Sequence, residues 1–231
     1  MKTKRMKTGI STVALLAMVI FSGMAVDRAA AQSAGPFGNT YEVTIVNLTR
    51  GQIFSPPLVI GHRGSYKLFT LGEPASDGLA LLAEDGDSSM ITATLDGNPQ
   101  VGDYATASGP VMPGHSTTVT LELRGPFRFI TAVGMLVITN DAFFAEQGLL
   151  ALPWIDNMSE AEDYEAGSEA NNESCTYIPG PPCGNGGVRA TDGAEGYVHI
   201  HAGIHGLTED LDPAMHDWRN PVAKITVRKM N

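Results

Sequence analysis

From Tyr41 to Thr49 the chain reads YEVTIVNLT, with Val43, Ile45 and Asn47 on one side of an extended backbone and Glu42, Thr44 and Val46 on the other. A two-residue period of this kind is what a strand with one buried and one wet face requires. The same alternation returns in STTVTLELRG, where Val119, Leu121 and Leu123 oppose Thr118, Thr120 and Glu122. It returns again in VAKITVRKM, where Ala223, Ile225 and Val227 oppose Val222, Lys224, Thr226 and Arg228. FRFITAVGMLVITND, residues 127–141, is apolar almost throughout, which predicts a central strand covered on both faces.

Other stretches break the alternation. The proline pair in IFSPPLVIGHRG excludes a helix and predicts an extended edge segment followed by a turn. PASDGLALLAEDGD predicts a short helix capped by Ser76 or Asp77 and stopped by Gly86, and SSMITATLDG after it reads as strand or loop. Pro153 to Asp192 is poor in apolar residues and rich in Glu, Asn, Gly and Pro, and predicts mostly loop. The pattern shows no internal repeat and no linker between two cores. It predicts one all-β domain over residues 41–231, an antiparallel β-sandwich with long loops and one or two short helices, after a leader of residues 32–40.

The first 31 residues bear on the charge of the mature protein. Lys2, Lys4, Arg5 and Lys7, the apolar run ISTVALLAMVIFSGMAV and the alanines 29–31 predict a signal peptide cleaved before Gln32. No membrane span is expected after that cleavage, and the mature chain is expected to be exported, periplasmic or secreted. The full chain carries −10; residues 1–31 hold five basic side chains and one acid, so the remaining 200 residues carry −14. Such a balance disfavours nucleic acid and anionic lipid as partners and suits cations. Cys175 and Cys183 flank TYIPGPP and in an oxidising compartment are expected to pair, a two-thiolate metal site being the alternative.

Two segments hold candidate chemistry. SEAEDYEAGSEANNES, residues 159–174, offers carboxylates and amide carbonyls at the short spacing a hard cation requires, although a solvated acidic loop reads the same way. Asn140 and Asp141 add a second carboxylate source, or cap a turn. In GYVHIHAGIHG, His199 and His201 stand two apart and project from one face of a strand, with His205 beside its end; the three form a candidate zinc or copper site, or a strand that carries histidines. The spacing Gly193-x5-His199-x-His201 echoes half of the cupin metal motif, but the glutamate that should come after it is missing. Gly-x-Ser-x-Gly and Gly-x-Gly-x-x-Gly are absent, and His62 and His115 read as turn histidines.

Taken in order, TAVGMLVITNDAFFA, AEDYEAGSEANNE and GIHGLTEDLDPAMHDWRNPVAKITV resemble the spondin domain of bacterial exported proteins, over about Tyr41 to Met230. The resemblance implies an antiparallel sandwich with a calcium ion held near one end by Asp141, Glu165 and Glu169. Both loop acids are glutamates where the family has aspartates, and Thr139-Asn140-Asp141-Ala142 stands where the family has Ser-Pro-Asp-Trp. It further implies a non-catalytic adhesion-type module whose partner is an extracellular or periplasmic protein or matrix ligand. The alternative is a metal-binding or metal-dependent enzyme-like protein built on His199, His201 and His205.

Overall fold

The computed structural model describes residues 38–230; the expected signal peptide, residues 1–31, and residues 32–37 of the expected leader lie outside them. Within that range the elements run β1 (Asn39–Asn47), β2 (Leu58–His62), α1 (Asp77–Asp85), α2 (Ser89–Leu95), β3 (Val101–Thr106), β4 (Ser116–Leu123), β5 (Phe129–Met135), β6 (Ala142–Leu150), β7 (Asn157–Glu165), α3 (Pro213–His216) and β8 (Ala223–Lys229). The strands pair antiparallel in the order β3-β2-β5-β6-β7-β8-β1-β4, so the fold is all-β with three short helices.

The sheet folds over on itself at β7. Asn157–Ala161 pairs with β8, whereas Glu162–Glu165 pairs with Ala142–Ala145 of β6, so one strand belongs to two facing halves. Strands that switch sheets in this way make the corners of packed β structures. At the far ends the sheet nearly closes, where the Glu122 N–H on β4 donates to the Asp103 carboxylate on β3 at 2.7 Å.

The alternation expected from sequence sets the core. Tyr41, Val43 and Ile45 of β1, Val119, Leu121 and Leu123 of β4, and Ala223, Ile225 and Val227 of β8 meet Val59, Ile130, Ala132 and Phe144 from the other half. The halves approach so closely that a β-carbon at Gly61 on β2 would run into the Leu123 side chain of β4. The outer face of the β2-β5-β6 half is covered by α1 and α2, whose Leu79, Leu82, Ile91 and Leu95 pack on Leu58, Ile60, Val133 and Phe143. That cover is why β5 is buried on both faces, as its continuous apolar run predicts.

Three expectations need correction. β2 lies between β3 and β5, not at an edge; Pro56 and Pro57 precede its first residue, so the strand keeps all its ladder donors. SSMITATLDG contains helix α2, held by Ile91 and Leu95 one turn apart against the core, and packing there overrides the weak helix propensity of its threonines. The stretch expected to be loop contains β7, whose inward positions are Ala161, Asp163 and Glu165, so an apolar period has nothing to register. Among the described residues no helix is long and apolar enough to cross a membrane. Cys175 and Cys183 are joined as a disulfide.

Candidate metal centre

The end of β7 carries Glu165 inward, and two neighbouring segments close over it. The hairpin turn between β5 and β6 delivers Asp141 immediately before β6: the Thr139 hydroxyl donates to the Leu136 carbonyl at 2.6 Å and accepts from the Ala142 N–H at 3.0 Å. On the other side the histidine segment pairs with β7 at one residue. The Glu165 N–H donates to the His199 carbonyl at 2.7 Å and the His199 N–H returns to the Glu165 carbonyl at 3.1 Å. Gly167 permits this approach, since it has φ +67° and a β-carbon there would collide with the Tyr197 carbonyl.

The carboxylates are under-supplied with partners. Asp141 is fully buried, and its Oδ2 accepts from the Ser168 N–H at 2.8 Å, the Ser168 hydroxyl at 3.2 Å and the Glu169 N–H at 3.1 Å, while its Oδ1 has no hydrogen-bond partner. Glu165 is 1% exposed, and its Oε1 likewise has none. One ligand atom each from Glu165, Glu195 and His199 lie within 4.8 Å of one another, with Glu195 at the solvent side. His199 Nε2 sits 3.6 Å from Glu165 Oε2. Burial, followed by the negative charges of Asp141 and Glu195, pushes the Glu165 carboxyl up to about 9. Burial also pushes Asp141 up to about 6 against its three donated hydrogen bonds. Carboxyls placed like this either keep a proton or pair with a cation.

The residues singled out in the sequence are divided by the structure. Glu165 and His199 come together, and the Asp141 charge acts on Glu165. Glu169 turns away: its N–H serves Asp141, but its carboxylate lies 3.5 Å from Arg189 Nε, and Arg189 also pairs with Glu84 and Asp85 at the end of α1. His201 does not share a strand face with His199, because the segment makes a single bridge there and not a strand. His201 Nδ1 accepts from the Gly203 N–H at 2.8 Å, so its Nε2–H donates to Asn171 Oδ1 at 3.1 Å. Its ring lies against Trp218, and burial, with His199 and His205 nearby, holds it down at about 3. Asn171 also acts to lower the Glu165 carboxyl against the effect of burial. His205 is exposed; its N–H donates to Glu173 Oε1 at 2.6 Å. None of the other three histidines joins the cluster: His62, expected in a turn, instead ends β2, buried and bonded to Thr131 at 2.8 Å; His115 is exposed after a turn; and His216 ends α3 with its Nδ1 3.1 Å from the Asp212 carbonyl.

Glu195, Asn171 and Asp163 are not distinguished by the sequence. Glu195 lies one residue before the histidine stretch, between Gly193 and Gly196, where a lone acid in a glycine-rich loop carries no spacing signal. Asp163 is buried two positions before Glu165, and its N–H donates to Asn220 Oδ1 at 2.9 Å. No protein-family model matches the chain, and no curated protein matches it.

Proposed function

We propose that the chain is an exported, non-catalytic binding module of the spondin type whose loop rim is organised by a divalent cation. The observation that carries this reading is the cluster of Glu165, Glu195 and His199, in which the buried Glu165 Oε1 and His199 Nε2 have no hydrogen-bond partner. A cation there ties the end of β7 to the loop from Glu195 to His199, with the buried Asp141 charge of the β5–β6 turn acting on Glu165. Long loops on a rigid sheet are where binding surfaces are built, and an acidic exported chain leaves a cation as the natural counter-charge. The disulfide between Cys175 and Cys183, next to the acidic stretch, fits the oxidising compartment that the first 31 residues predict. The partner in this reading is an extracellular or periplasmic protein or matrix ligand, met by the loops that the cation orders.

The experiment is to purify residues 32–231 without added metal, measure bound metal by elemental mass spectrometry, and follow thermal unfolding with and without EDTA. One equivalent of divalent metal, a lower melting temperature after chelation, and loss of both effects in Glu165→Gln are expected. A protein that takes up no calcium, manganese or zinc on titration, and melts at one temperature throughout, ends the reading.

A further inference from the structure

The resemblance implies calcium, and the donor atoms test that implication. Calcium is held by six to eight oxygens, drawn from carboxylates, carbonyls and water. The cluster here offers carboxylates from Glu165 and Glu195 and one imidazole nitrogen, His199 Nε2. The imidazole is also set up as a ligand. His199 Nδ1 lies 2.9 Å from the Ile200 carbonyl, which only an N–H can satisfy, so the ring proton sits on Nδ1 and the Nε2 lone pair is free. Nε2 is buried and has no hydrogen-bond partner. Metal-binding histidines are commonly fixed through their second nitrogen by a backbone carbonyl in this way. The backbone bridge between Glu165 and His199 holds the two donor side chains on adjacent chain segments.

We propose that the centre formed by Glu165, Glu195 and His199 takes a borderline first-row transition ion of the zinc or manganese class in preference to calcium. Neutral imidazole is a good donor to these ions and a poor one to calcium, and two or more carboxylates with one imidazole suit a four- to six-coordinate ion. Asp141, fully buried in the adjoining β5–β6 turn, is a further negative charge that acts on Glu165. The inference rests on the reading that a divalent cation binds at this rim, and it names which cation.

The test uses the mature chain with its disulfide intact. Zinc is titrated calorimetrically in the absence and presence of a hundredfold excess of calcium, and manganese-loaded protein is examined by pulsed electron paramagnetic resonance for nitrogen coupled to the metal. One equivalent of zinc that calcium does not displace, and an imidazole nitrogen signal lost in His199→Gln, are expected. His199→Gln should also weaken zinc binding at least about tenfold, the lower end of what even a residue supporting a ligand costs. His115→Gln, at an exposed turn, should change neither. Calcium bound at one equivalent and unaffected by His199→Gln overturns the choice of metal and leaves the cation reading standing. Binding of none of the three ions overturns both. Circular dichroism of each variant separates lost ligation from lost folding.

Discussion

Strands β4 and β7 share the same two-residue alternation, yet they bury opposite kinds of side chain. β4 turns Val119, Leu121 and Leu123 inward and keeps Thr118, Thr120 and Glu122 toward solvent. β7 turns Ala161, Asp163 and Glu165 inward and keeps Glu160 and Glu162 outside. The first pattern drives folding by itself, since apolar area leaves water. The second opposes folding at neutral pH unless something compensates the buried acids, because an ionised carboxyl loses its hydration on burial. Two acids on the inner face of a strand, where apolar residues would serve stability, are what the proposed cation would compensate.

The largest effect should come from breaking the ordinary half. Leu121 is fully buried between the sheet halves, so Leu121→Ala is expected to cost about 3 kcal/mol. For a domain of this size that lowers the melting temperature by roughly 6–12 °C. The drop should be equal with metal and with EDTA, and metal affinity should not change. A loss of metal binding in Leu121→Ala would mean that core and rim are not separate.

Glu165→Gln sharpens the contrast from the other side. In EDTA the variant should melt higher than the parent chain, since a charge that resists burial has been removed. With metal present the order should reverse, because the parent gains binding free energy that the variant does not. A variant less stable than the parent under both conditions would mean that Glu165 is stabilised by protein contacts alone.

The pH dependence of the metal-free protein derives from the same acids. A carboxyl with a higher pKa in the folded than in the unfolded chain gives the folded state more protons, so stability falls as pH rises between the two values. For Glu165 that window runs from an ordinary 4.5 to about 9, and for Asp141 from 3.8 to about 6. His201 works in the opposite direction: burial lowers it from 6.5 to about 3, so stability is lost as pH falls through that range. Melting temperatures in EDTA should peak in mildly acidic buffer and decline steadily toward pH 9. Saturating metal should flatten the alkaline limb, because the cation takes the place of the protons. A metal-free curve that is level from pH 6 to 9 would rule out buried acids as the source of the strain.

The same division governs how far the sequence can be read. β1, β4 and β8 are legible because each carries three or four apolar residues at period two, and each is used as an ordinary strand. β7 is hidden because two of its three inward positions are acids, and a buried acid looks like a solvated one in a sequence. For the site, Asp141, Glu165 and His199 all stand out as candidates, but in two rival sets. Only the bridge between Glu165 and His199, formed across 34 residues of chain, joins them. His199 and His201 look like a chelating pair only if a strand carries both; Gly196 and Gly203, both at positive φ, flank a segment that is irregular there. Local inconsistency with a rule of folding is expected where function is built, and β7 is the strand of this chain that breaks the rule.

The smallest effect tests whether the legible part is also energetically independent. Helix α1 begins as its sequence predicts: Ser76 is the N-cap and its side chain accepts from the Leu79 N–H at 3.2 Å, and the helix ends at Gly86 with φ +70°. Ser76→Ala should cost about 1 kcal/mol, the usual value for losing such a cap. That corresponds to a fall of roughly 2–4 °C in melting temperature. The C-terminal end of α1 holds Arg189 through Glu84 and Asp85, and Arg189 reaches Glu169, whose N–H serves Asp141. If that chain of contacts transmits strain, Ser76→Ala weakens metal binding as well as the fold. The cap lies at the opposite end of the helix from Arg189, and the Asp141 turn is anchored independently by Thr139 and Ser168. The expected result is therefore a small loss of stability with unchanged affinity, measured by calorimetric titration of the variant beside the parent chain.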